Sequence, residues 1–311
     1  NAESPLIRGS ADIAYHFLRR SLDLCRAGGA VLFLLPRAVY SAPSMSEYWL
    51  DPECPSRLSR SILFDNHRYF ENASIFVTGS LWEKNQSPKN LLAVVRFDQE
   101  SKLAERREGP QVGRHWWRSI CAVLEGGHFD IEHDSGRLGD VFEVSSSMTT
   151  SEFYETKAFL VDEEQDSAGI AMVTTGAIDP KNLKWSKTPS RILGRDYQTP
   201  RVDEKAFKDG PLKRRRDRAL RPKILIAGLA SRVEAVLVRH PAQGAVSTLM
   251  ILHPHDDIAA LEALEEFLNA SWVSRYLRQS LGANALGGGN ITVSKQFIMG
   301  LPLDEPNWCA H

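Results

Sequence analysis

The hydrophobic pattern opens on "SADIAYHFLRRSLDLCRAGGAVLFLLPRA", residues 10–38. Ile13, Phe17, Leu18, Leu22 and Leu24 recur near helical spacing, with Ser10 placed to cap the start. Gly28-Gly29 ends the helix, because glycine tolerates the positive φ that helix C-termini adopt. "AVLFLL" follows as an unbroken apolar run closed by Pro36. Unbroken apolarity predicts a strand buried on both faces, as in a parallel sheet with helices on each side. The pattern thus predicts a piece of an α/β layer fold.

Further runs extend the list. "SMSEYWLDP" reads as a short helix, and "SILFDN", "ASIFVTGSLW" and "LLAVVRFD" (91–98) as strands. Near residue 100 the chain turns polar, and "GHFDIEHDSGRLGDVFEVSSSMTTSEFY" carries Gly and Ser punctuation with weak strand signals. In the second half, "PKILIAGLASRVEAVLVR" gives two β-like runs split by "GLAS", and "GAVSTLMILHP" a third. "HDDIAALEALEEFLNASWVSRYLRQSLG" is the best helical segment. Asp256 or Asp257 is placed to cap it, and acids crowd its first turns, where the helix dipole favours them. A boundary falls near residues 99–150. The expected division is 1–99, a linker or insertion over 100–165, and a second domain over 166–311.

Composition adds limits. With 311 residues, 42% hydrophobic and 25% charged, the chain matches ordinary globular proteins of about two domains. No apolar run approaches the roughly 20 residues of a membrane helix, and no secretory leader is visible. Cys25, Cys54, Cys121 and Cys309 are scattered without zinc-ligand spacing, which suits free thiols in a reducing compartment and a cytoplasmic location.

The net charge is −1, but it is unevenly spread. "PLKRRRDRALRPK" (211–223) holds Lys213, Arg214, Arg215, Arg216, Arg218, Arg221 and Lys223 against one acid, Asp217. "SEFYETKAFLVDEEQD" (151–166) holds six acids against Lys157. A concentrated basic segment within a neutral chain is compatible with nucleic-acid contact, and equally with a solvated loop. Arg191 and Arg195 in "RILGRDY" are candidates of the same kind. "HPHDD" (253–257) and "HFDIEHD" (128–134) contain metal-ligand residue types, but the first falls where helix caps occur and the second lacks a nuclease pattern. No metal site is assigned.

The order of blocks is the most informative feature. "DIAYHFLRRSLDLCRAGGAVLFLLPRAVY" resembles the segment after the catalytic motif in adenine-specific N6 DNA methyltransferases of the gamma, TaqI-like class. "HRYFENASIFVTG" resembles that family's next block, in which an aromatic ahead of a strand stacks on the flipped adenine. Phe70 matches this position and Tyr69 is its neighbour. "PKILIAGLASRVEAVLV", "LEALEEFLNASWVSRYLRQ" and "GGGNITVSKQFIMGLPL" resemble successive parts of the family's C-terminal specificity region.

The resemblance covers most of residues 10–98 and 167–304. It implies an α/β chain with a partial Rossmann-like methyltransferase sheet, followed by a mixed α+β target-recognition domain. It implies double-stranded DNA as partner, S-adenosylmethionine as cofactor of the complete enzyme, and base flipping before methyl transfer. DNA contacts are expected from Arg191, Arg195, Lys213, Arg214, Arg215, Arg216 and Lys223. The family's Gly-rich cofactor turn and its Asn/Asp-Pro-Pro-aromatic catalytic loop belong upstream of residue 10 and do not occur here. No catalytic or cofactor residue is therefore expected in this chain. The alternatives are a DNA-binding specificity subunit without catalysis, or one half of a split methyltransferase or restriction-modification enzyme completed by a separate N-terminal methyltransferase subunit.

Overall fold

The computed structural model describes residues 13–40, 56–64, 77–84, 91–98, 100–110, 120, 136–162, 169–281 and 290–304. The chain forms two compact units, Asn1–His133 with Arg278–Ile291 and Asp134–Leu277 with Thr292–His311.

In the first unit, helix α1 (Ile13–Leu24) leads through Gly28-Gly29 into β1 (Ala30–Pro36). The helix stops at Leu24, four residues ahead of Gly28, whose positive φ of 73° belongs to the turn into β1. Strands β2 (Ser56–Phe64), β3 (Val77–Lys84), β4 (Leu91–Phe97) and β5 (Leu103–Pro110) complete a sheet of order β1-β3-β2-β4-β5. β3 is antiparallel to both β1 and β2, β2 is parallel to β4, and β4 is antiparallel to β5. Tyr15, Leu18 and Leu22 of α1 join Leu35, Leu58, Leu63, Trp82, Leu92 and Val94 in one core. Within that core the fully buried Tyr40 hydroxyl lies 2.6 Å from Ser61 Oγ, 3.1 Å from Thr78 Oγ1 and 3.2 Å from Ser80 Oγ.

The sheet is mixed, and β1 departs from expectation. It has one strand neighbour among the described residues, and Leu32 and Leu34 are 61% and 60% exposed. Val31, Phe33 and Leu35 face the core, so β1 is covered on one side only. An apolar run records a capacity for burial. It fixes neither strand direction nor the number of layers. A Rossmann-like parallel arrangement is not established by these strands.

The second unit stacks two sheets. β6 (Glu143–Ser146), β12 (Lys223–Ala227), β13 (Ala235–Val238) and β15 (Thr248–Leu252) form an antiparallel sheet of order β13-β12-β15-β6. β7 (Leu160–Asp162), β8 (Ile170–Val173), β11 (Pro200–Val202) and β14 (Ala242–Gly244) form another, of order β14-β8-β11-β7. Only β14 and β8 pair in parallel in it. A separate two-stranded ribbon joins β9 (Ser190–Ile192) to β10 (Arg195–Tyr197).

Side-chain alternation sorts the layers. Ala171 and Val173 of β8, Leu225 and Ala227 of β12 and Met250 and Leu252 of β15 fill the space between the sheets. Ile170 and Met172 point the other way and join Ile192, Tyr197, Val202, Phe207, Leu212 and Ala219 in a second cluster. The opposite sheet carries helix α5 (Ile258–Leu268) on β12 and β13. Asp257 caps it, accepting from Ala260 N at 3.1 Å.

The expected helical segment is broken at Asn269-Ala270, before helix α6 (Ser271–Leu281). Asn269 accounts for the break. Its Oδ1 accepts from Ala235 N at 3.2 Å, and its Nδ2 donates to Ala235 O at 2.9 Å and Glu265 O at 2.8 Å. Residues 100–165, expected as a linker or insertion, carry strands of both units. β5 closes the first unit's sheet and β6 the second's, with the units meeting in sequence at 133–134.

Candidate nucleic-acid interface

Two short helices hold the basic run, one just ahead of it and one within it. Helix α3 (Lys205–Lys208) buries Ala206 and Phe207, and α4 (Arg216–Leu220) buries Ala219. With Leu212, these apolar residues anchor the segment on the second cluster. The anchoring divides the seven basic side chains into two sets.

Three of the seven are turned inward or tied to neighbours. Arg215 Nε and Nη2 donate to the two carboxylate oxygens of Glu152 at 3.1 and 3.0 Å, and Nη1 donates to Ser146 O at 3.0 Å. Glu152 also closes the capping box of helix α2 (Thr150–Glu155) with Thr149. Burial pushes its carboxyl up, but the Arg215 and Thr149 hydrogen bonds outweigh that and hold it below the ordinary value. Arg221 Nε donates to Asp256 Oδ1 at 2.7 Å and Nη2 to His253 O at 2.8 Å. Lys223 has no exposed surface, and its Nζ donates to Ala219 O at 2.8 Å. Burial, with Arg221 nearby, lowers its ammonium from 10.5 to about 8. Lys223 was expected at the DNA surface. Enclosed as it is, it presents no charge to a phosphate, and it ties α4 to β12.

The other four, Lys213, Arg214, Arg216 and Arg218, form no ion pair with a described carboxylate. Glu204 is held low by Lys208, with a smaller part from Arg216. Lys213, Arg214 and Arg216 are exposed. Arg191 and Arg195 are exposed too, on the ribbon whose Ile192 and Tyr197 enter the same cluster. Lys157 and Lys205, also exposed and without an ion pair to a described carboxylate, stand near its Phe159 and Ala206 in sequence. Cations elsewhere in this unit are mostly committed. Lys181 pairs with Glu266, Lys184 with Asp179, Arg232 with Glu234 and Arg239 with Glu262.

Sequence reasoning missed Arg201. Its Nη1 donates to Gly169 O at 2.9 Å and its guanidinium lies 5.0 Å from the Trp185 ring centroid, a cation–π contact. It also missed Asp196, which lies opposite Arg191 in the ribbon. Phe70 and Tyr69, the expected base-stacking residues, lie outside the described residues, as does "HFDIEHD". In "HPHDD", His253 Nδ1 accepts from His255 N and Asp257 N, both at 3.3 Å, so this histidine organises the cap of α5. No group of three metal-ligand side chains occurs among the described residues.

The described glycine turn at Gly28-Gly29 does not fit S-adenosylmethionine. It follows a helix, and Lys84 Nζ occupies that helix end, donating to Leu22 O at 2.9 Å, Asp23 O at 3.1 Å and Cys25 O at 2.7 Å. A helix C-terminus sealed by an ammonium offers none of the backbone N–H donors of a cofactor-binding strand–turn–helix. No helix among the described residues is long and apolar enough to cross a membrane.

No protein-family model matches the chain, and no curated protein matches it. Among solved structures it is similar to the type IIG restriction endonuclease BpuSI, with 11% identity and a TM-score of 0.37, over 97% of this chain and 43% of that one. It is also similar to the type IIL restriction-modification enzyme MmeI, solved in complex with DNA, with 8% identity and a TM-score of 0.36, over 76% of this chain and 34% of that one. The chain thus spans less than half the length of either. At these TM-scores the likeness carries no argument about activity.

Proposed function

We propose that this chain is the DNA-recognition portion of a restriction-modification type adenine N6 DNA methyltransferase of the TaqI-like class. The observation that supports the reading is the gathering around one apolar cluster of cations that form no ion pair with a described carboxylate, whereas Lys181, Lys184, Arg232 and Arg239 elsewhere in the unit are ion-paired. Exposed, unpaired Lys and Arg are what a phosphate backbone recruits, because each contact releases condensed counterions. Lys213, Arg214 and Arg216 fix the position of the duplex in this reading, and Arg191 and Arg195 approach it from the ribbon. Arg215 contributes by holding the segment in place. Phe70, with Tyr69 beside it, stacks on the flipped adenine, an interaction worth roughly 1–3 kcal/mol. S-adenosylmethionine and the catalytic loop come from a part of the enzyme other than these residues.

Titrating duplex DNA into the chain across a salt series tests the reading. Binding that weakens steeply with salt, with no methyl transfer from labelled S-adenosylmethionine by the chain alone, is the expected result. Failure to bind duplex DNA at low salt would sink it.

A further inference from the structure

The ribbon has a feature that phosphate binding does not explain. Among the described residues β9 and β10 join no other sheet, and their register sets Ser190 against Tyr197, Arg191 against Asp196 and Ile192 against Arg195. Two residues connect them, Leu193 and Gly194, at φ 49° and 83°. Positive φ at both central positions is the geometry of a type I′ turn, which fixes hairpin register. One face is locked down. Ser190, Ile192 and Tyr197 are buried, and Ser190 Oγ lies 3.2 Å from Thr174 Oγ1. Arg191 and Asp196 share the other face and are both exposed, and neither forms an ion pair with a described residue. Arg195 belongs by register to the inward face but stands exposed at the turn.

An arginine meant for phosphate gains nothing from a carboxylate opposite it, because Asp196 repels the same phosphate. A donor and an acceptor side by side match a base pair instead. A two-stranded ribbon fits the major groove, where arginine donates to guanine O6 and N7 and aspartate accepts from cytosine N4. Directly opposed residues in a ribbon have Cβ atoms about 5 Å apart, so both reach one pair. We infer that Arg191 and Asp196 are specificity-determining residues that read a G·C pair in the major groove. The inference rests on the DNA-recognition reading above and separates base readout on the ribbon from phosphate contact on the basic run.

Selection from a pool of randomised duplexes, sequenced after enrichment, tests it on the full chain. The native chain is expected to enrich a motif with a fixed G·C position. Arg191→Ala relaxes that position by about 5- to 150-fold, the worth of one bidentate base contact, with the salt slope unchanged. Asp196→Asn relaxes the same position. Replacing that guanine by 7-deazaguanine weakens the native chain and leaves Arg191→Ala unaffected. An unaltered motif in Arg191→Ala, or a flattened salt slope, overturns the assignment. So does native binding without any enriched motif, which leaves DNA recognition itself standing. No binding by the native chain overturns both. Both side chains are exposed, and circular dichroism of the two variants confirms that they fold.

Discussion

The two outer layers of the second unit use positive charge in opposite ways. On the layer formed by α5, cations are neutralised locally, Arg239 by Glu262 and Lys181 by Glu266. Around the cluster formed by the ribbon, α3 and α4, the cations Lys213, Arg214 and Arg216 form no ion pair with a described carboxylate. Exposed ion pairs contribute little to stability, with a median of about 0–1 kcal/mol, so unpaired exposed cations cost the fold little. The layers differ chiefly in the charge they offer a partner. Between these extremes lie Arg215, Arg221 and Lys223, which belong to the basic run in sequence and to the interior in space.

The sharpest departure from the surface set is Lys223. Its folded value, about 8, is below the ordinary 10.5, so between these limits the unfolded chain holds more protons. The stability lost to burying this charge is therefore fully felt below about pH 8 and recovers as pH rises to 10.5, by up to about 3 kcal/mol. Urea unfolding at several pH values should show this rise in the native chain and not in Lys223→Met. Equal pH dependence in both would place the lysine in solvent.

Next in size is the effect of Lys213→Ala, Arg214→Ala and Arg216→Ala combined. Three lost phosphate contacts flatten the slope of log K against log salt by about 2.7, about 40-fold across a fourfold salt change. An unchanged slope would return these residues to the class of solvated surface. Arg215→Ala should act on the fold instead. It removes a bidentate partner from Glu152, whose side chain is 21% exposed, and should cost about 1–2 kcal/mol in urea unfolding. A loss of DNA affinity at unchanged stability would move Arg215 into the open set. Smallest is the paired control. Lys181→Ala with Arg239→Ala should change stability by less than about 1 kcal/mol and leave the salt slope alone. A slope that flattens as in the triple variant would erase the distinction between the layers.

Much of the local structure was legible in the sequence. The helix over 13–24, the strands 223–227 and 235–238 and the cap at Asp257 follow from spacing and residue type, although the helix stops four residues ahead of Gly28. The one-sided covering of β1 was not, because a strand's second face depends on which elements the chain brings to it. Nor was the break at Asn269, whose partner Ala235 lies 34 positions earlier. Within the basic run, composition marked all seven cations alike. Their separation depends on Glu152, 63 positions from Arg215, and on Asp256, 35 from Arg221.

The sequence by itself determined that a dense block of positive charge stands at 211–223 within a chain of net charge −1. It determined also that Arg191 and Arg195 stand four positions apart in "RILGRDY". Only the tertiary structure decided which cations remain free and that Asp196 faces Arg191. The physical reason is that residue type fixes what a side chain is able to bind, while its partner is set by long-range packing. A guanidinium already bonded to a carboxylate of its own chain is occupied, and one left in water is available to a ligand.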